Sequence, residues 1–76
     1  MKVQIENIVK SQVAMTIVNR CVGLARRNKS INDMYQDMCQ FTIFHDNEEI
    51  DIAKGADHIS VYYSQGEREQ LLTITK

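Results

Sequence analysis

The chain has 76 residues, a formal net charge of −1, two cysteines and no proline. That is enough for one small domain over residues 1–76, with no Pro-rich linker or tail. At 43% apolar and 25% charged residues it is too hydrophobic for a disordered chain, and no apolar run reaches the roughly 18–20 residues of a membrane span. The charge is divided along the chain: residues 1–29 hold Lys2, Lys10, Arg20, Arg26, Arg27 and Lys29 against Glu6 alone, a balance of +5. Residues 30–76 hold nine acids against Lys54, Arg68 and Lys76, a balance of −6. Such an asymmetry concerns partners more than fold.

Lys2 to Glu6 alternate polar and apolar residues, which suits a short strand. A helix running on through 3–10 would turn Val9 to the polar side and Lys10 to the apolar side, so this stretch reads as a separate strand or turn. Residues 12–27 carry the strongest periodicity. At 100° per residue, Val13, Ala14, Met15, Ile17, Val18, Cys21, Val22, Leu24 and Ala25 fill one broad arc, the mark of an amphipathic helix with a wide buried face. Ser11 is its N-cap, and Arg26 and Arg27 fall in the last turn, where the helix dipole favours cations.

Ser30 opens a second, shorter helix, with Asp33 three residues on as in a capping box. Ile31, Met34, Tyr35 and Met38 supply its apolar stripe, and it ends near Cys39 or Gln40. From Phe41 the period becomes two. Residues 41–45 and 49–52 read as strands around an Asp46-Asn47 turn, followed by a turn at 54–57, a strand at 58–64 and a last strand at 70–75. The fold class expected is α+β: one long amphipathic helix and a short second helix packed on one face of a three- to four-stranded antiparallel sheet. Strand 49–52 reads as an edge guarded by Glu49 and Asp51. The last strand, uncharged from Leu71 to Thr75, is central, capped by the N-terminal strand, or paired with a second copy, so a homodimer stays open.

The chemistry-bearing residues do not assemble into a catalytic motif. His45-Asp46 and Asp57-His58 are neighbours in sequence, and adjacent strand residues point to opposite faces, so neither makes a dyad. His45, His58 and Cys39 match no zinc spacing, and no metal or other cofactor is expected. Ser11 and Ser30 are caps rather than nucleophiles, and Cys21 and Cys39 read as small buried thiols in a reducing cytoplasm. Gly23, Gly55 and Gly66 are too scattered for a phosphate-cradling loop. Gly23, inside the helix on its polar face, suggests either a close backbone approach or a tolerated glycine.

Two charged surfaces remain. Asp46, Glu48, Glu49, Asp51 and Asp57 form an acidic hairpin able to dock on a basic protein surface, with Phe44, Tyr62 and Tyr63 as candidate apolar anchors, the two tyrosines pointing to opposite sides of one strand so that one of them is exposed on the sheet. The competing view of these acids is a solvated hairpin kept for solubility. Arg20, Arg26, Arg27 and Lys29 form a basic helix face able to neutralise phosphates. A helix-turn-helix reading fails because the second helix would present Asp33 and Asp37 to the backbone phosphates. The leading expectation is a non-enzymatic, cytoplasmic protein-binding inhibitor or regulator of a host enzyme, of the type encoded by phages and mobile elements. The alternative is a small nucleic-acid-binding regulator using the basic face of helix 12–27.

Overall fold

The computed structural model describes residues 1–39 and 47–76, and the backbone alone at Phe44 and His45. In chain order the elements are β1 (Lys2–Ile5), α1 (Gln12–Arg27), α2 (Ile31–Met38), β2 (Phe44–His45), β3 (Glu48–Lys54), β4 (His58–Gln65) and β5 (Glu67–Thr75). All strand pairs are antiparallel, in the order β1-β5-β4-β3-β2. The α+β class is as expected, and the sheet counts four full strands plus the two-residue β2. Residues 40–43, where the first hairpin strand was expected to begin, lie outside the described residues.

Both helices start as their sequences dictate. The Ser11 side chain accepts a hydrogen bond from the Ala14 amide, and that of Ser30 accepts from Asp33. Each cap satisfies an amide that has no partner within its own helix. At the far end of α1, Asn28 leaves helical geometry and donates through Nδ2 to the Leu24 carbonyl and to Asp37 of α2, both at 3.0 Å. The junction of the helices is thereby fixed by one side chain.

The helices lie on one face of the sheet, α1 against β1 and β5, and α2 against β4. Between the layers, Ile17, Cys21, Met34, Met38, Ile59, Val61, Leu72 and Ile74 are fully buried, each large aliphatic contributing about 1.5–3 kcal/mol of transfer free energy. Alternation along β4 and β5 breaks at one point. Val61 pairs with Leu72 but Tyr62 pairs with Gln70, so Leu71 is an extra residue, a β-bulge. The bulge lets the consecutive residues Leu71 and Leu72 both be buried. Its exposed consequence is that the Leu71 carbonyl accepts from both Glu6 and Asn7 amides, which ends β1.

Three expectations are corrected. β2 pairs with Glu48 and Glu49, so at Glu49 β3 is not the edge of the sheet. Cys39 is exposed at the end of α2 rather than buried. Met15 is 54% exposed although it falls in the apolar arc of α1. Helix periodicity locates Met15 on the flank of that arc, and the flank overhangs β1, the last strand of the sheet on that side.

Candidate functional site

The sheet register gathers acids at one end of the molecule. Glu49 pairs with Ser64, which pairs with Arg68, while Gln65 pairs with Glu67 and Tyr63 with Glu69. Glu49, Glu67 and Glu69 are therefore exposed at one end of three adjacent strands, about 10 Å across, with Glu49 on the outer face beside Ser64 and Arg68 and with Glu67 and Glu69 on the helix side beside Gln65 and Tyr63. Glu67 and Glu69 were not among the expected site residues. They lie some twenty residues further along the chain, and only the β4–β5 register brings them to the same end of the sheet as Glu49.

The other expected acids take different places. Glu48 turns to the helix side, where its Oε1 accepts from the Ser11 hydroxyl at 2.5 Å and from the Tyr63 hydroxyl. Asp51, on the outer face, accepts from Arg68 at 3.0 Å. Asp57 is in the β3–β4 turn, beside His58 at 3.2 Å. The seven residues of β3 separate it from Glu48 by about 20 Å, so Asp57 does not belong to the acidic cluster. Asp46 lies outside the described residues.

Of the candidate aromatics, Tyr63 is withdrawn from the surface. It is 3% exposed in the core, and its hydroxyl reaches Glu48 and Gln65. Donation to the Glu48 carboxylate holds its phenol pKa above the ordinary value. Tyr62 points to the outer face, half-buried beneath the Arg68 guanidinium at 4.0 Å from the ring centroid. The side chain of Phe44 lies outside the described residues. The outer sheet thus offers a Tyr62–Arg68–Asp51 stack instead of an open aromatic patch.

Cations gather at the opposite end. Lys2 pairs with Thr75, and Thr75 with His58, while Lys54 pairs with Ile59. The Met1 nitrogen donates to the Ala25 carbonyl at 3.1 Å, which sets the last turns of α1 beside the start of β1. Arg26, Arg27 and Lys29 are exposed there and make no ion pair among the described residues. Arg20 and Arg27, one heptad apart, flank a shallow depression of about 280 Å³ over Gly23 and Leu24. Nothing lies within 4 Å of where a Gly23 Cβ would be, so no neighbouring backbone explains this glycine. α1, about 24 Å long, runs from the acidic end to the basic end. Its dipole favours anions at the first terminus and cations at the second, so this arrangement of charge reinforces the helix.

An exposed apolar surface was not foreseen. Ile5, Ile8 and Met15 are 44%, 91% and 54% exposed. With Val9, Val18 and Leu71 they line a groove of about 360 Å³ between α1 and the outer strand β1. Among the described residues no three His, Cys, Asp or Glu side chains come together as a metal site, and no helix is long and apolar enough to cross a membrane. Burial pushes the Cys21 thiol up to about 12, away from the thiolate form a nucleophile needs. Comparison with family models, curated proteins and solved structures finds no match for this chain.

Proposed function

We propose that this protein is a non-enzymatic binding module, an inhibitor or regulator that presents its acidic end to a basic surface of another protein. The observation carrying this reading is the acidic rim at one end of the sheet, where Glu49 on the outer face and Glu67 and Glu69 on the helix side are all exposed. A fixed array of this kind steers association with a cationic surface and excludes acidic partners. Glu48 supports the site from behind, because its bonds to Ser11 and Tyr63 anchor β3 to α1. Arg68 partly neutralises Asp51 on the outer face, so the effective contact surface is the end rim of the sheet rather than that face.

The test is to capture the partner from the native host and measure association rates across ionic strength. Glu49→Lys, Glu67→Lys and Glu69→Lys should each slow association at low salt, while dissociation changes little. Rates indifferent to all three reversals and to salt would remove the reading.

A second reading has its own observation: the depression between Arg20 and Arg27 over the bare Gly23 backbone could admit a phosphate. It predicts a low-salt gel shift that falls steeply with added salt and vanishes in an Arg20→Ala/Arg27→Ala variant.

A further inference from the structure

We propose that the protein forms a twofold dimer by antiparallel pairing of β1 with β1 of a second copy, joining the two sheets into one. β1 ends the sheet and nothing covers its outer side among the described residues. The Glu6 amide donates to the Leu71 carbonyl, so in an antiparallel ladder the even-numbered residues of β1 face β5. The N–H and C=O groups of Val3 and Ile5 then point to the open edge. A twofold partner must pair these odd-numbered residues with each other, which leaves only registers centred on Val3, Gln4 or Ile5.

Charge selects among the three. Centred on Gln4, the strand Lys2-Val3-Gln4-Ile5-Glu6 is its own complement: Lys2 faces Glu6 of the copy, Glu6 faces its Lys2, and Val3 faces Ile5. The other centres leave Lys2 and Glu6 without an opposite charge. Val3 and Ile5 lie on the helix side of the sheet, so their cross-strand pairs continue the core, whereas the two ion pairs form on the polar face. Antiparallel placement also sets the acidic end of one copy beside the basic end of the other.

The helices fit the same geometry. α1 rests on both β1 and β5, so a partner strand at the usual spacing brings α1 and its symmetry mate to about 10 Å, within helix-packing distance. The flank of α1 that overhangs β1, led by the half-exposed Met15, meets the other helix there. Exposed Ile5 and Met15 thereby gain cover that the single chain does not supply. None of Glu49, Glu67 and Glu69 pairs with β1, so the dimer stands or falls independently of the proposed docking function.

Sedimentation equilibrium of the full chain should give about twice the monomer mass of 8.8 kDa. Lys2→Glu and Glu6→Lys each set two like-charge pairs across the axis and should weaken the dimer about tenfold or more, while circular dichroism shows both variants folded. The double variant Lys2→Glu/Glu6→Lys restores opposite charges and should recover the wild-type association constant. Amide exchange supplies a separate reading, since the Val3 and Ile5 amides are protected only if a second strand covers them. A protein still monomeric at about 1 mM, single variants that associate as tightly as wild type, or a double variant as weak as the singles would each overturn the proposal.

Discussion

The Ser11 hydroxyl donates to the Glu48 carboxylate at 2.5 Å while its oxygen accepts the Ala14 amide at 3.3 Å, so one side chain both caps α1 and ties it to β3. Tyr63 of β4 donates to the same carboxylate oxygen. A helix terminus and two strands therefore converge on Glu48, and the partial positive charge of the helix N-terminus favours the anion held there. The acidic end is built around this point, with the solvent-facing glutamates displayed on strands that Glu48 holds in register.

Removing the cap should cost stability in proportion. Ser11→Ala loses the N-cap bond, typically about 1 kcal/mol, which in a domain of this size lowers Tm by about 4–8 °C. Tyr63→Phe keeps the buried ring and also lowers Tm. Because both hydroxyls serve one acceptor, the double variant should be non-additive. Simple additivity in thermal melts would mean that the two bonds to Glu48 act independently.

Local features were legible in the sequence, and long-range ones were not. The spans of α1 and α2, the caps Ser11 and Ser30, and the opposed faces of Tyr62 and Tyr63 follow from short-range periodicity and hydrogen-bonding chemistry. The roles of Glu48 and Glu67 depend on which strands become neighbours, and alternation alone leaves that open. The pair Leu71-Leu72 does carry a signal, since two adjacent leucines break the period of a strand and mark the bulge. Met15 shows the limit of a helical wheel. The wheel ranks residues by angle, but the width of the sheet beneath decides where burial stops. Asp57 shows the limit of counting charges, because a seven-residue strand can separate acids that lie close in sequence.

The two cysteines should differ sharply toward a thiol reagent. Cys39 is exposed and Cys21 is fully buried, so the native protein should react quickly at one thiol and the denatured protein at two. Rapid modification of both in the native state would contradict the burial of Cys21.

Alkaline unfolding supplies a linked measurement. The Cys21 pKa in the fold is about 12 against an ordinary 9.0. The neutral thiol is thus favoured by folding, and its contribution is complete below pH 9. As pH rises toward 12 the unfolded chain loses its proton first, and stability falls by up to ~1.4 kcal/mol per pH unit. Tyr63, whose pKa is also raised, adds to the same slope. Denaturant midpoints should therefore drop above pH 9 in wild type and drop less in Cys21→Ala, even though the alanine variant starts lower at pH 7 because of the cavity it leaves. Equal slopes in the two proteins would show that Cys21 does not titrate with unfolding.

At Gly55 an added methyl would meet the ring of a neighbouring side chain. A Cβ there would lie 2.2 Å from the His58 ring, inside any allowed contact. The Gly55 amide also donates to the His58 carbonyl at 2.8 Å, closing the turn between β3 and β4. With that backbone bond kept, Gly55→Ala displaces the exposed imidazole from its place beside Asp57. Gly66 offers a contrast: its φ of 86° lies in the left-handed region, yet a Cβ there would meet nothing within 4 Å. Gly55→Ala should therefore move the His58 ring resonances. Gly66→Ala should lower stability by about 1 kcal/mol through backbone strain and leave His58 untouched. If Gly55→Ala left the His58 chemical shifts unchanged, the close packing of the ring over the turn would be wrong.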